Sequence, residues 1–498
     1  MNISMLLEMA AQTDPDRTAL VCDGKRWSYA ELESGARGAA ALIANSGASH
    51  VALLDEASEA AVLALFGAAL AGVPYCPLNY RLADTDLAGL LARIEPALVI
   101  GDAARIERLC GTGANTVLSR NEFTQAALAA DPDAALPPDR DEVAVQLFTS
   151  GTTSAPKAAI LTHGNLVSYI LGTVEFAAAA EDEATLVSVP PYHIAGIAAL
   201  LSSIYAMRRI VMLPAFAPDA WLRLVAAEKV TNAFVVPTML GRVVAERTVG
   251  DRVDLTSLKA IAYGGGKMPV DLIRQALDMF PDAGFTNAYG LTETSSTIAL
   301  LGPDEHRAAH MASDPAERAR LASVGKPLPT IELEIRDESG GVLPPGREGE
   351  IYVRGEQVSG RYRERSALDA NGWFPTRDAG YLDDAGYLFL CGRADDVIVR
   401  GGENISPGEI EDVLLGHPAI ADAAVVAVPS AEWGEAVGAA IVLRDGAEAP
   451  AEDEIKALIR ARLRSSRVPE TIKLVDALPY NEMGKLLRRE VKAMMAGG

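Results

Sequence analysis

Short apolar runs rich in β-branched residues alternate with helix-like segments over most of the chain. Residues 218–230 and 269–280, for example, place apolar side chains at the three- and four-residue spacing of an amphipathic helix. This alternation is typical of βαβ units and predicts a large N-terminal α/β domain with mainly parallel sheets. The predicted strands are HVALLD (50–55), ALVIGD (97–102), VAVQLF (143–148), ATLVSVP (184–190), RIVMLP (209–214), NAFVVP (232–237) and LKAIAYG (258–264).

After about residue 340 the sequence becomes glycine-rich, as in GREGEIYVRG and DDAGYLFLCGRADD, and predicts a β-rich subdomain of strands and turns. A compact α+β pattern follows, which predicts a small C-terminal domain. The predicted domains are therefore residues 1–394 and 395–498. The elements of the second are strand VIVRGG (397–402), helix PGEIEDVLLGH (407–417), strands IADAAVVAVP (420–429) and GAAIVL (438–443), helix EDEIKALIRARL (452–463) and strand TIKLVDAL (471–478).

The charge balance of the chain argues against nucleic acid as a partner. The 498 residues include 45 Lys and Arg against 67 Asp and Glu, a formal charge of −22 with a pI of about 4.8. Such an acidic chain is not expected to bind nucleic acid, and an anionic substrate would need a locally positive pocket. The length indicates two or more domains.

The cysteines and the N-terminus favour the cytoplasm. The N-terminal residues lack a basic n-region and predict an amphipathic helix rather than a signal peptide. Two uncharged runs, residues 60–79 and 184–207, are long enough to cross a bilayer, but their internal prolines favour buried core segments. No transmembrane segment is therefore predicted. Four cysteines, scattered without the spacing of a metal site, fit a reducing compartment: Cys22, Cys76, Cys110 and Cys391.

The stretch QLFTSGTTSAPKAAILTHGN (146–165) is a candidate phosphate-binding loop. Gly151 and Lys157 have the Walker spacing, but Pro156 replaces the second glycine and has no N–H, while Ala158 lacks the metal-binding hydroxyl. The remaining groups still suit an anion, although an ordinary Ser/Thr-rich surface turn is the open alternative. The candidate hydroxyls are Thr149, Ser150, Thr152 and Thr153.

None of the later motifs indicates a function by itself. They are YGLTE (289–293), TRD (376–378), GRADD (392–396) and LPYNEMGKLLRRE (478–490). Tyr289 could be a core residue, Glu293 an acid favoured by a helix dipole, and Lys485 a solvated lysine. Their order along the chain is more informative than any single motif.

That ordered set resembles the adenylate-forming superfamily of acyl-CoA synthetases, carrier-loading adenylation domains and luciferases. The resemblance extends over essentially the whole chain and is greatest to acyl-CoA synthetases. Besides the motifs above, it rests on WSYAEL (27–32), AGVPYCPLNYRL (71–82), PPYHIAG (190–196), VVPTM (235–239), YGGG (263–266), GREGEIYVRG (346–355), GWFPTRDAGYLD (372–383), GRADDVIVRGGENISPGEIE (392–411) and GKLLRRE (484–490).

The resemblance implies an ATP site that depends on Mg²⁺. Glu293, with Thr152, would hold the metal ion, and both are expected in the catalytic centre with Lys485, the implied lysine of adenylation. Asp378 and Arg393 would bind the ribose hydroxyls. The phosphates would be bound by Thr149, Ser150, Gly151, Thr152, Thr153 and Lys157. The rest of the nucleotide slot would comprise Gly264, Gly265, Gly266, Asn287, Ala288, Tyr289, Gly290, Leu291 and Thr292.

The same resemblance implies a second half-reaction with CoA. Asp395 would be the hinge about which the small, mobile C-terminal domain turns after the adenylate forms. The loop RGGENISPGE (400–409) would then line the approach of the thiol, with Gly401, Gly402 and Glu403 in the CoA tunnel. Loading of a carrier-protein phosphopantetheine instead of CoA is the alternative. A homodimer is an open expectation.

The acid itself is expected to lack an α-amine. The amino-acid-activating subgroup places an Asp just after the motif around His193, and YHIAGIAALLSS has no acidic residue. The implied pocket is apolar and suits an aliphatic or aryl acid. His193 would gate it, or would be a hydrogen-bonded, half-buried histidine. The implied substrate contacts are Tyr192, His193, Ile194, Gly196, Val235, Val236 and Gly264.

The chain also departs from the superfamily pattern. Ser154 and Ala158 stand where glycine is usual, Arg377 replaces the glycine before the ribose aspartate, and Lys267 is unusual after the three glycines. None of these removes a catalytic group, so they are interpreted as tuning, with Arg377 adding charge near nucleotide or CoA phosphates. A pseudoenzyme that only senses ATP is disfavoured because the implied catalytic groups are all present.

Overall fold

The computed structural model describes residues 1–109, 115–135, 142–149, 156–249, 253–393, 396–400, 403–430, 433–481 and 486–496. The helices are α1 (Ser4–Thr13), α2 (Tyr29–Ser46), α3 (Glu59–Ala71), α4 (Asp84–Leu91), α5 (Ala103–Leu109), α6 (Arg120–Ala129), α7 (His163–Thr173), α8 (Ile194–Tyr205), α9 (Pro218–Ala227), α10 (Pro237–Val249), α11 (Val270–Met279), α12 (Pro303–Met311), α13 (Pro315–Ala319), α14 (Pro407–Leu415), α15 (Glu452–Arg460) and α16 (Arg488–Ala496).

The strands are short. They are β1 (Thr18–Cys22), β2 (Lys25–Ser28), β3 (His50–Leu54), β4 (Tyr75–Pro77), β5 (Ala97–Gly101), β6 (Thr116–Ser119), β7 (Val143–Thr149), β8 (Lys157–Thr162), β9 (Ala184–Val187), β10 (Arg209–Met212), β11 (Asn232–Val235), β12 (Ala260–Gly264), β13 (Gly284–Leu291), β14 (Ser296–Leu301), β15 (Lys326–Pro327), β16 (Glu332–Arg336), β17 (Gly349–Arg354), β18 (Arg361–Tyr362), β19 (Phe374–Leu382), β20 (Leu388–Arg393), β21 (Ile398–Arg400), β22 (Glu403–Ile405), β23 (Ile420–Ser430), β24 (Gly434–Leu443) and β25 (Thr471–Leu474).

Two large mixed sheets form the N-terminal part. One has the order β15-β14-β13-β12-β11-β9-β10-β1-β2, and its strands from β13 to β1 pair in parallel. The other has the order β18-β8-β7-β4-β3-β5-β6, parallel from β7 to β6. In both sheets the remaining strands pair antiparallel. This confirms the predicted α/β part with mainly parallel sheets.

The largest hydrophobic cluster combines side chains of both sheets, such as Leu53 in β3 and Ile210 in β10, with those of α1, α2, α3 and α8. Every residue from Ala60 to Ala71 in α3 is buried, which explains why this helix is apolar on all sides. Much of residues 184–207 forms β9 and α8 and is also largely buried. Among the described residues, no helix is long and apolar enough to cross a membrane.

The β-rich subdomain is a four-stranded antiparallel sheet of order β16-β17-β19-β20. The C-terminal part has its own five-stranded sheet, in which β23 and β24 form a long antiparallel pair with β23 at the edge, and β25 runs parallel to β24. Helices α14 and α15 cover a separate cluster on this sheet that includes Ile410, Val425 and Ile455. A β-rich subdomain followed by a small α+β C-terminal part is therefore confirmed.

Candidate functional site: a nucleotide-binding cleft

The two predicted ribose-binding residues meet one residue of the predicted nucleotide slot where β13 faces the β-rich subdomain. The Tyr289 hydroxyl donates to Asp378 Oδ2 at 2.6 Å, and Arg393 Nη1 donates to Asp378 Oδ1 at 2.7 Å. Asp378 in β19 and Arg393 in β20 are directly paired across the antiparallel ladder, which explains why they meet. Burial and the Asp378 charge raise the pKa of Tyr289 well above its ordinary value, so its hydroxyl stays a donor. The carboxylate is thus held from two sides.

The predicted metal ligand Glu293 and the predicted phosphate-binding Lys157 both lie near Tyr362, a residue that the sequence analysis did not predict in the site. Tyr362 in β18 donates its hydroxyl to Glu293 Oε1 at 2.6 Å. The Lys157 ammonium lies 5.8 Å from the centroid of the same ring. Burial, followed by the Glu293 charge, raises the pKa of Tyr362 well above its ordinary value. Tyr362 therefore links the predicted magnesium ligand to the predicted phosphate-binding lysine.

A single carboxylate at this position fits magnesium bound to a nucleotide. No cluster of three or more metal-ligating side chains occurs in the part of the chain that the structure describes. Mg²⁺ commonly binds through one or two carboxylates together with substrate phosphates and water, so one well-placed glutamate suits that metal ion. The backbone of Glu293 is fixed as well, because its carbonyl accepts hydrogen bonds from the N–H groups of Ser359 and Gly360.

The adenine-side residues lie at the ends of two neighbouring parallel strands. Gly264 ends β12 and pairs with Ala288 in β13. A Cβ at Gly264 would lie 2.3 Å from the Ala288 carbonyl oxygen, so glycine is required for this close approach. Asn287 is buried and donates its side-chain N–H to the Ser323 carbonyl at 3.0 Å. Carboxyl ends of parallel strands are the usual place for a ligand in an α/β sheet.

The acid-side residues form an aromatic group. The rings of Tyr192 and His193 are 4.5 Å apart, and Tyr80 packs edge-on against Tyr192 with centroids 5.5 Å apart. His193 Nε2 is buried with no hydrogen-bond partner among the described residues, which weakens the interpretation as a hydrogen-bonded core histidine. Val235 and Val236 are buried in a hydrophobic cluster at the end of β11. Their contact with a substrate stays a prediction.

The ionisation of His193 gives a testable expectation. Burial, with Arg81 nearby, lowers its pKa to about 4. The unfolded chain, with a histidine pKa of about 6.5, then binds the proton more readily, so stability should fall by up to roughly 3 kcal/mol as the pH drops from about 6.5 to about 4. Chemical denaturation of the protein and of His193→Gln at several pH values measures this. Equal pH slopes in both proteins would contradict the assignment.

Several predicted site residues lie outside the described residues, so their roles stay predictions. They are Ser150, Gly151, Thr152 and Thr153 of the phosphate stretch, the hinge residue Asp395, Gly401 and Gly402 of the CoA tunnel, and Lys485. Three of the four departures from the superfamily pattern can be placed. Ala158 is buried in β8. Arg377 adopts a left-handed φ of +62°, which explains why glycine is usual there, and its side chain lies 3.7 Å from Glu350. Lys267 donates to Asp412 in α14 at 2.7 Å and joins the two parts of the chain.

Comparison with known proteins agrees with this arrangement. Residues 7–363 match the family described as AMP-binding enzyme, and residues 409–485 match the AMP-binding enzyme C-terminal domain. The chain belongs to the AMP-binding enzyme family. This confirms the predicted superfamily and, with it, the prediction of an AMP-forming acid–thiol ligase. The domain boundary after residue 394 stays a prediction.

Two relatives and one solved enzyme show the range of this AMP-binding family. A feruloyl-CoA synthase from Amycolatopsis is 33% identical, over 97% of this chain and 96% of the relative. The fatty acid–[acyl-carrier-protein] ligase ScoC from Streptomyces coeruleorubidus is 31% identical, over 97% and 94%. The o-succinylbenzoate CoA synthetase of Bacillus subtilis, solved with its acyl-adenylate intermediate, is 29% identical with a TM-score of 0.81, over 98% and 97%. The same synthetase has also been solved with ATP and magnesium.

Proposed function

We propose that this protein uses ATP to convert a carboxylic acid without an α-amine into an acyl-adenylate, and then transfers the acyl group to CoA. The observation that carries the proposal is the carboxylate of Asp378, held by Tyr289 and Arg393. In the chain segment that begins at Tyr289, Glu293 follows four residues later. Tyr289, which holds the proposed ribose acceptor Asp378, and the proposed metal-binding carboxylate of Glu293 therefore lie on one continuous segment, and this arrangement suits a nucleoside triphosphate.

The first half-reaction must bring two anions together. A carboxylate oxygen of the acid attacks the α-phosphorus of ATP, and the bond to the leaving pyrophosphate breaks. Lys157 and Lys485 supply positive charge at the phosphates, where stabilisation of the developing charge lowers the barrier most. Glu293 would hold Mg²⁺, which would supply positive charge to the leaving pyrophosphate. Asp378 fixes the ribose, so the α-phosphorus stays in place during attack.

In the second half-reaction the thiol sulfur attacks the acyl carbon, and AMP leaves. CoA is the proposed acceptor because the feruloyl and o-succinylbenzoate relatives are named CoA synthases or synthetases. A carrier-protein phosphopantetheine is the second candidate, and the similarity to ScoC favours it specifically. The apolar surroundings of Tyr192 and His193 support an aryl or aliphatic acid rather than a strongly polar one.

Acid-dependent exchange of labelled pyrophosphate into ATP tests the first half-reaction. A panel of aryl acids and of short, medium and long aliphatic acids is expected to contain at least one acid that supports exchange. Thioester formation with CoA and with a phosphopantetheinylated carrier protein then separates the two acceptors. Exchange without any thioester on CoA would exclude the first acceptor, and absence of exchange with every acid would contradict the proposal.

Replacing Asp378 with alanine should weaken ATP binding by about 2–4 kcal/mol, because two hydrogen bonds to a charged acceptor are lost. This corresponds to roughly 30- to 800-fold in the dissociation constant. Titration calorimetry with ATP measures the loss. Asp384→Ala is the matched control, since Asp384 lies on an exposed turn between β19 and β20. An unchanged ATP affinity in Asp378→Ala would remove Asp378 from the ribose site.

A further inference from the structure

Arg93, two residues beyond the end of α4, contacts both described flanks of the predicted phosphate-binding stretch. On one side its Nη1 donates to the Pro156 carbonyl at 2.5 Å, next to Lys157. On the other side its guanidinium lies 4.8 Å from the centroid of the Phe148 ring, next to Thr149. One side chain thus touches the residue before Thr149 and the residue before Lys157.

Arg93 also forms an ion pair and a hydrogen bond with the segment that contains Tyr362. Arg93 Nη2 pairs with Glu364 at 2.9 Å, and the Arg363 guanidinium donates to the Arg93 carbonyl. The Arg363 backbone N–H in turn donates to the Ala158 carbonyl at 2.9 Å. Arg93 therefore joins the flanks of the phosphate-binding stretch to the segment whose tyrosine holds Glu293.

These contacts use features that only arginine combines. A guanidinium can donate to a carbonyl and a carboxylate from different nitrogens while its flat face lies on an aromatic ring. Lysine offers a single point charge at the end of a flexible stem and cannot make all three contacts at once. The Arg93–Glu364 pair is partly exposed, with side-chain exposures of 29% and 57%, so the ion pair itself contributes little to stability.

We propose that Arg93 is a positioning residue for ATP. It does not touch the nucleotide; it holds the Pro156 carbonyl and the Phe148 ring so that Lys157 and Thr149, which pair across β7 and β8, face the polyphosphate in a fixed geometry. Fixing the backbone beside a phosphate-binding lysine matters because a small displacement of a binding group is costly for affinity and rate. This inference rests on the proposed function.

The test compares Arg93→Ala, Arg93→Lys and the matched control Glu364→Gln. Glu364→Gln removes the ion pair but leaves both contacts with the phosphate-binding flanks. Calorimetry with ATP is expected to show a dissociation constant raised about 10-fold or more in Arg93→Ala, a smaller rise in Arg93→Lys, and a value close to the parent protein in Glu364→Gln. In exchange assays, KM for ATP should rise in Arg93→Ala while KM for the acid stays within about twofold.

Unchanged ATP affinity in Arg93→Ala would overturn the inference. A parallel rise in KM for ATP and for the acid, together with a lower melting temperature, would also overturn it, because general loosening of the fold would then explain the loss. Failure of the proposed function shows separately, as a parent protein that supports no exchange with any acid. The calorimetric comparison of ATP binding still decides the role of Arg93 in that case.

Discussion

Replacing Glu293 with alanine is expected to lower magnesium-dependent pyrophosphate exchange by at least about 100-fold while the fold stays intact. The reason is geometric as well as electrostatic. One carboxylate oxygen is held by the Tyr362 hydroxyl, so the carboxylate is presented in one orientation. Exchange measured over a range of Mg²⁺ concentrations, with circular dichroism as the check on folding, gives the result.

Tyr362→Phe is the matched variant for that experiment. It keeps the Glu293 carboxylate and the aromatic ring near Lys157 but removes the hydrogen bond. We expect a smaller loss of exchange and a higher Mg²⁺ requirement, because the carboxylate is present but less well oriented. Near parental exchange in Glu293→Ala would remove Glu293 from the metal site, whatever Tyr362→Phe does.

The predicted site residues that the structure brings together within one sheet share a local origin. Asp378 and Arg393 meet because β19 and β20 form a hairpin-like antiparallel pair, and both belong to ordered motifs of a known superfamily. Gly264 and Ala288 meet because β12 and β13 are neighbours in a parallel sheet. Of these elements, β12 was among the predicted strands, since strands with two buried faces are continuous apolar runs. Strands β19 and β20 fall in the predicted β-rich subdomain.

Contacts between distant segments could not be predicted in this way. Tyr362 reaches Glu293 only because β18, a strand of two residues, pairs with β8 at the edge of the second sheet. So short a strand has no periodicity that a sequence could show. Arg93 lies 63 residues from Pro156, in a turn with no motif. These positions depend on which strands become neighbours, and that is a property of the assembled fold.

Lys267, which is unusual for the superfamily at this position, has a structural role that the sequence did not predict. Its ammonium pairs with Asp412 in α14, so a residue beside the nucleotide slot contacts the C-terminal part of the chain. Both side chains are about half exposed, which makes the pair weak in free energy. A weak contact between the two parts is compatible with the change of orientation that is proposed for the two half-reactions.

The segment that flanks Lys485 is anchored on the C-terminal part. Arg488 pairs with Glu411 at 2.6 Å and 2.9 Å and with Asp396 at 3.3 Å. Tyr480 donates to Asp422 in β23, and its backbone forms a β-bridge with Leu486. The residues on both sides of Lys485 are therefore attached to the small sheet and would move with it as a unit. Removing the lysine charge should leave that unit folded.

Lys485→Ala is consequently expected to slow adenylation by at least about 100-fold while leaving thioester formation from a supplied acyl-adenylate close to the parental rate. In the proposed mechanism the lysine stabilises charge only while the carboxylate attacks ATP, and it would leave the site when the small domain turns. Lys492→Ala, in the neighbouring helix α16, is the matched control. Pyrophosphate release and thiol consumption, measured separately, distinguish the two half-reactions.

Asp395→Pro should show the opposite behaviour, with adenylation retained and thioester formation lost, because a ring that fixes φ blocks rotation about the hinge. The two variants together form a double test, since each is expected to impair the half-reaction that the other spares. If each variant slowed both half-reactions equally, alternation of the C-terminal domain between two orientations would be wrong for this protein, and one fixed orientation would have to serve both steps.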